Sequence, residues 1–276
     1  MREIYKKRTW VSKDGKFKIV EKFHTWGAQP KGSRRRERKQ ESDVSQENRN
    51  RMRKRDRLTR QLLDNFSEGD KYLTLTYKGE LPEEEQIKKD YRKIARQLKS
   101  IYQRAGAELK YISLIENLKG GGRAHIHMVI PELPGLTGAR IERLWGKGFV
   151  KVEEYKADIM DARRLAEYFT KSKTVKWSSP VMPSRNLIRR EPIEQTMKAD
   201  TYRENTKPPE GYMELNIEGW SGSWETEDGF SVSRKIYMRI DNQERWKRRD
   251  GHDEGRSIGK SLRENLTLAE EINKPA

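Results

Sequence analysis

Cysteine is absent from this chain, which excludes disulfide staples and cysteine-ligated zinc. Histidine is scarce, with only His24, His125, His127 and His252. Apolar residues make up 33% of the chain against 37% charged, so one lean core with additions is expected rather than two full ones. No apolar run approaches the ~20 residues needed to span a bilayer. The opening residues MREIYKKRTW lack the apolar centre of a signal peptide, and the expected compartment is the cytoplasm. What the chain has in excess is positive charge: 60 Lys and Arg against 43 acidic residues, a net charge of +17. Such a surplus attracts a polyanion, and with no membrane segment in sight nucleic acid is the expected partner.

Residues 1–30 read as a β-hairpin, REIYKKRTWV and FKIVEKFHTW around the turn SKDGK, because an Asp-Gly pair between β-forming runs favours a tight reversal. KGSRRRERKQ is a basic loop. The following helix, residues 42–66, carries six arginines between Arg49 and Arg60, with apolar residues limited to Met52, Leu58, Leu62, Leu63 and Phe66. Arg53 and Arg57 on this helix are candidate phosphate contacts. KYLTLTY alternates like a strand, and a long helix over 81–106 follows, with acidic residues at its start and Gly106 at its stop. LKYISLIEN and AHIHMVIP are strands joined by the turn KGGGR. A short helix (TGARIERLW), a strand (FVKVEEY) and a helix (DARRLAEYFTKSK) complete a β-α-β-β-α-β-α order. Beyond it, SSPVMPSRNLIRREPIEQ reads as an irregular basic arm, GYMELNIEGW and FSVSRKIYMRI as strands able to pair, and the stretch from Gln243 as polar and partly disordered. The expected divisions are an N-terminal extension at 1–66, a core at 67–190 and a C-terminal extension at 191–276.

Half of the histidines sit in one triplet, His125-Ile126-His127. Side chains at i and i+2 of a strand share a face, so the two imidazoles are neighbours and can share a divalent metal. If the two strands pair across the glycine turn, Glu116 falls opposite His125 on that face and offers a third ligand. A one-residue slip would reverse this, and strand histidines often simply hydrogen-bond. Downstream, Tyr168 and Lys171 lie three residues apart and share a helical face, beside a stripe of Ala162, Leu165 and Phe169. An isolated YxxK also suits an ordinary amphipathic helix. Near a metal that grips a DNA phosphate, however, a tyrosine becomes a nucleophile for strand cleavage, with the lysine available to the developing charge.

YLTLTY, then HIH, then YFTK, in that order, resemble the three motifs of the HUH endonucleases, in particular the rolling-circle replication initiators of phages, plasmids and integrative elements. The resemblance covers roughly residues 65–190. It implies an α+β fold, an antiparallel sheet with helices in a ferredoxin-like or RRM-like arrangement, here with the hairpin, the basic helix and C-terminal strands added. It implies His125 and His127 as ligands of a divalent metal, Tyr168 as the nucleophile and Lys171 as an assisting cation. The third polar ligand is Glu116 by the hairpin register, and two imidazoles with a carboxylate suit Mn²⁺ or Mg²⁺. Ser184, Arg185 and Asn186, in the stretch SRNLIRR, become expected DNA contacts. The implied activity is nicking of single-stranded DNA or a hairpin at a replication origin, leaving a 5′-phosphotyrosine and a free 3′-hydroxyl, inside a bacterial host cell. No GxxxxGK[ST] pattern occurs, so unwinding and extension would fall to a host helicase and polymerase.

Two other readings fit parts of the pattern. A single-tyrosine transposase or mobilisation relaxase would share the chemistry, although a tyrosine downstream of the histidines favours a replication initiator over a relaxase. A non-catalytic basic nucleic-acid-binding protein would explain the charge, the Arg-rich helix and aromatics such as Trp145 and Trp177 as base-stacking surfaces. It leaves the ordered HxH, glutamate and YxxK unexplained.

Overall fold

The computed structural model describes residues 3–26, 44–80, 82–118, 122–171, 181–198, 206–225 and 230–240. The basic loop at 31–40, Trp177, His252 and the polar stretch from Gln243 lie outside them. The chain divides into two compact units, one of residues 1–11, 15–27 and 193–276 and one of residues 12–14 and 28–192.

The larger unit has the order expected from the sequence. A helix, α1 (Val44–Asn65), precedes β3 (Lys71–Thr76), α2 (Glu84–Arg104), β4 (Ile112–Glu116), β5 (His125–Ile130), α3 (Gly138–Trp145), β6 (Val150–Glu154) and α4 (Ile159–Lys171), with a two-residue strand β7 (Met182–Pro183) after them. The strands form one antiparallel sheet in the order β6-β3-β5-β4-β7. β5 is inserted between β3 and β4, the split β-α-β arrangement of ferredoxin-like folds, so the fold is α+β as expected.

Alternation along the strands decides what each face carries. Leu73, Leu75, Ile115, Ile126, Met128 and Ile130 point to one side. There they meet Ile87, Ile94 and Leu98 of α2 and Ile141 and Trp145 of α3 in a single buried cluster. Each fully buried aliphatic side chain here contributes about 2 kcal/mol. Trp145, a candidate for base stacking by sequence, is a core residue: it is buried, edge-on to Tyr77 at 4.9 Å, and donates its indole N–H to the Thr76 carbonyl. The other face is covered by α4, whose Ala162, Leu165 and Phe169 are buried as the helical stripe predicted, and α4 packs in turn on α1. Leu58, Leu62 and Leu63 of α1 and Phe66 just past its end are buried, whereas Met52 is exposed. Among the described side chains the packing stripe thus lies in the C-terminal half of that helix.

In the smaller unit, β1 (Glu3–Val11) and β2 (Phe17–Trp26) form the expected hairpin, with Gly15 at φ +72° in its turn. The hairpin pairs with strands from the far end of the chain. β8 (Ile193–Thr196) lies against β1, and β11 (Ser231–Arg239) lies against β2 and carries both β9 (Tyr212–Leu215) and β10 (Gly222–Glu225). The expected pairing of GYMELNIEGW with FSVSRKIYMRI is present as β9 on β11. The arm expected to be irregular instead supplies two short strands, β7 and β8, one to each sheet. Edge pairing of this kind depends on backbone hydrogen bonds with distant strands, which local composition does not encode. Among the described residues no helix is long and apolar enough to cross a membrane.

Candidate active site

The register across the glycine turn is the one the sequence suggested: Glu116 is paired with His125, and Leu114 with His127. On the other flank of β5, Thr76 is paired with His125 and Thr74 with His127. One sheet face therefore carries a row of Thr76, His125 and Glu116, next to a row of Thr74, His127 and Leu114. Tyr168 reaches this face from α4. That helix starts where the Asp158 carboxylate accepts the backbone N–H of Asp161 at 2.7 Å, an N-cap that fixes where the first turn begins.

His127 is 5% exposed, and a buried imidazole must satisfy both ring nitrogens. Its Nδ1 lies 2.9 Å from Tyr72 Oη and 3.3 Å from Thr74 Oγ1. Its Nε2 lies 3.2 Å from Glu116 Oε2 and 3.1 Å from Tyr168 Oη. The Tyr168 hydroxyl donates to the same Glu116 oxygen at 2.7 Å. The phenol has one proton and gives it to Glu116, so Nε2 carries the ring proton that faces them. Both partners of Nδ1 are hydroxyls, able to donate or accept, so Nδ1 is satisfied in either tautomer, including the one that would leave Nε2 open as a ligand. Ring packing holds the imidazole in place, with Tyr72 stacked at 5.9 Å and 11° and Tyr168 edge-on at 5.2 Å and 81°. His125, 6.0 Å away between ring centroids, sets its Nδ1 3.0 Å from Thr76 Oγ1.

Electrostatics sorts these groups by role. The hydrogen bond with His127 holds the Glu116 carboxyl below its ordinary range; burial opposes this and the Tyr168 hydroxyl adds to it. Burial, then the neighbouring His127, push His125 down, which favours the neutral imidazole that can ligate. The Tyr168 phenol is pushed well up, first by burial and then by its hydrogen bond and proximity to the Glu116 carboxylate. It therefore stands protonated at neutral pH. Tyr168 is nonetheless 37% exposed, so a substrate can reach it while His127 stays covered.

The donor types suit a hard to borderline divalent cation: two imidazoles and an ionised carboxylate, each His with its Nδ1 engaged by a hydroxyl, as is usual behind metal-ligating histidines. As they stand, no group of three or more His, Asp or Glu side chains among the described residues is placed to hold an ion, and the Tyr168 hydroxyl is what bridges Glu116 and His127.

Of the other residues singled out by sequence, Lys171 is exposed on α4, with its ammonium 3.7 Å from Glu167. Ser184 is buried, exchanging hydrogen bonds with Tyr111, to whose carbonyl its backbone N–H donates and from whose N–H its hydroxyl accepts. Asn186 donates its amide to the Leu109 carbonyl at 3.0 Å. Both tie the 182–188 segment to the edge of the sheet, and Arg185 and Asn186 are exposed. Arg53 and Arg57 are exposed on α1, Arg57 lying 3.8 Å from Glu191.

Sequence reasoning missed Tyr72, Thr74 and Thr76, although their alternation in YLTLTY is the same signal that pairs the histidines. It also missed Phe149. The β3–β6 pairing continues past Leu75–Val150 through the Thr76 N–H to Phe149 carbonyl bond of 2.8 Å, which puts Phe149 in the row of Thr76, His125 and Glu116. It is 57% exposed. The preceding Gly148, at φ +154°, allows this approach, since a Cβ there would lie 2.2 Å from the Thr76 carbonyl oxygen.

Residues 70–173 match the family model of the ORF2-type replication-associated proteins. The matched span runs from the start of β3 to just past α4 and contains every residue of the His face described above. It supports a role in replication initiation. No curated protein and no solved structure matches the chain.

Proposed function

We propose that the chain is an origin-specific, single-stranded DNA nickase that initiates rolling-circle replication, of the HUH endonuclease kind. The observation that carries this reading is the convergence of Tyr168, His127 and Glu116. The phenol lies 41 residues from the histidine and 52 from the glutamate along the chain, yet hydrogen-bonds both. A folding role alone does not call for a partly exposed tyrosine aimed at a buried histidine and its partly exposed carboxylate partner, and the match of this stretch to a replication-associated family supports the same reading.

His125, His127 and Glu116 would hold a divalent cation, Mn²⁺ or Mg²⁺. Bound there, it would withdraw charge from the scissile phosphate and make phosphorus more electrophilic. The remaining work falls to the chain's own side chains. Tyr168 Oη forms a bond to phosphorus as the bond to the 3′ oxygen breaks. Its proton has an acceptor in Glu116 Oε2, 2.7 Å away, and the same proton, handed on from Glu116, ends on the departing 3′ oxygen, which leaves as a hydroxyl. The products are a 5′-phosphotyrosine and a 3′-hydroxyl that a host polymerase can extend once a host helicase opens the duplex. Because the phenol is held protonated, attack has to be coupled to proton transfer, and a group poised to accept the proton is what such coupling needs. Lys171, on the same helical face as Tyr168, offers a cation to the developing charge. Exposed Phe149 offers a face on which a base next to the scissile phosphate stacks. Arg53, Arg57 and Arg185, all exposed, track the backbone.

The test is a denaturing gel of the protein incubated with single-stranded DNA tiled across the origin of the element that encodes it, with and without Mn²⁺. A covalent adduct that needs the metal and vanishes in Tyr168→Phe is expected. An adduct that survives Tyr168→Phe would move the nucleophile elsewhere. No adduct, with tight binding indifferent to metal, would favour a non-catalytic binding protein.

A further inference from the structure

The six-stranded sheet holds a second feature, separate from the Tyr168 chemistry. Its strand register places Lys7 directly opposite Lys22, and Lys22 opposite Ser233. The next row on the same face is Thr9, Val20 and Lys235, and the one after it includes Lys18 paired with Tyr237. Alternation sends the intervening residues to the other face, and there charge is balanced: Glu21 binds Arg8 and Arg234, and Glu194 binds Lys6 and Arg8. On the lysine face the strands and the segment around Lys207 enclose a cavity of about 260 Å³. Five lysines line it, with Thr9, Thr206 and Ser233 as hydroxyl donors and no acidic residue among the described lining. The Glu214 carboxylate reaches one of these lysines, Lys235, at 3.1 Å.

We propose that this cavity binds the phosphodiester backbone of a single-stranded nucleic acid. Like charges placed directly opposite each other across a sheet are destabilising, and Lys7 and Lys22 are so placed. Burial, then Lys7 and Lys235, push the Lys22 ammonium down. Anionic oxygens among these ammoniums relieve the repulsion, and the flanking hydroxyls supply the neutral donors that commonly accompany lysine at phosphates. Extent decides between a polymer and a single phosphate. Lys18 and Lys22 are four residues apart on β2, about 13 Å at ~3.3 Å per residue. A nucleic-acid strand rises ~3.4 Å of axis per phosphate while winding around that axis, which sets neighbouring phosphates farther apart than the rise. The cationic track is therefore long enough for more than one phosphate but spans only a short run of them.

The experiment uses the full chain and measures binding of a single-stranded oligonucleotide by fluorescence anisotropy over a salt series. The pocket variant is Lys7→Gln, Lys22→Gln, Lys207→Gln. A control variant, Lys89→Gln, Lys93→Gln, Lys99→Gln on α2, removes the same charge from exposed positions. Each phosphate contact contributes about 0.7 to the slope of log affinity on log salt for single strands. The pocket variant should therefore lose about 2 from that slope and bind at least about tenfold more weakly at low salt, with the control near wild type. A Lys→Arg triple at the pocket positions should keep the slope, and it preserves the test if the glutamine variant folds poorly. Equal losses in pocket and control variants would reduce the effect to net charge and overturn the proposal. So would an unchanged slope combined with loss of thermal stabilisation by inorganic phosphate, which would make the cavity a small-anion site. Adduct formation at saturating DNA should persist in the pocket variant, so this proposal and the assignment of Tyr168 fail separately.

Discussion

The two sheets handle polar side chains in opposite ways. In the five-stranded sheet the polar residues of the His face satisfy one another. Tyr72, Thr74 and Thr76 hold the imidazole Nδ1 atoms, and Glu116 and Tyr168 meet His127 Nε2. In the six-stranded sheet one face is neutralised around Glu21 while the other gathers lysines with the Glu214 carboxylate at its margin. Pairing fixes geometry to within a hydrogen bond, which chemistry at one phosphorus atom requires. A gathering of like charges gives affinity without fixing a pose, which suits holding a strand. The division of labour predicts that damage to one sheet changes chemistry and damage to the other changes binding or stability.

The largest effect is expected at Glu21, on the neutralised face. Its carboxylate takes two hydrogen bonds from Arg234, whose side chain is only 10% exposed, and one from Arg8 at 3.2 Å. Glu21→Gln strands a buried guanidinium, and breaking such a pair costs about 3–5 kcal/mol. Burial by itself would raise the Glu21 carboxyl, but Arg234 and Arg8 outweigh it and hold the carboxyl below its ordinary value. A lowered folded value means that the stability is fully present above the unfolded value, near ~4.3, and is lost as pH falls through the folded one. Wild type should thus lose stability below about pH 4 through this group, while Glu21→Gln should lack that component of the pH dependence. Hydrogen exchange in β2 and β11 should speed up in the variant, and the covalent step proposed for Tyr168 should persist. Loss of the adduct with Glu21→Gln at a temperature where the larger unit remains folded would break the comparison.

The same contrast explains what could be read from sequence. The β-α-β-β-α-β-α order was legible because period-2 strands and 3.6-period helices alternate within about 100 residues, and because Gly106 and Gly146, at φ +68° and +58°, mark helix ends. Glu116 opposite His125 was legible because a glycine-rich turn joins their strands. Tyr168 was legible only as part of a motif, since its contact with Glu116 spans 52 residues. The lysine face was not legible. Lys7 and Lys22 meet within the hairpin, but Lys235 joins them only when β11 pairs with β2, and in the linear sequence the three are indistinguishable from the rest of a +17 chain. Phe149 was hidden for the same reason, because its row is set by the pairing of β6 with β3.

A middle-sized effect is expected at Thr76. Its hydroxyl, 3.0 Å from His125 Nδ1, is the contact that orients this ring. Thr76→Val keeps the shape and removes the partner. Loss of a hydrogen bond behind a ligating histidine typically lowers metal affinity or activity about 10–100-fold. The prediction is a rightward shift of that size in the Mn²⁺ dependence of adduct formation, with little change in oligonucleotide affinity measured without metal. An unchanged metal dependence would separate His125 from the cation and leave His127 and Glu116 to account for it.

The smallest effect sharpens the comparison most, because Phe149 is the residue of the His row whose expected task is binding. With 57% of its surface exposed, its truncation should barely change stability, within about 0.5 kcal/mol. If a base stacks on it, Phe149→Ala weakens single-strand binding by about 1 kcal/mol, the low end for aromatic stacking and close to fivefold. Phe149→Tyr should retain the binding, since the ring face is kept. The salt slope should stay the same in both variants, because stacking releases no counterions. That last readout separates Phe149 from the lysine face, where the slope is expected to fall, and a fall in slope with Phe149→Ala would show that the ring serves the path of the backbone instead of a base.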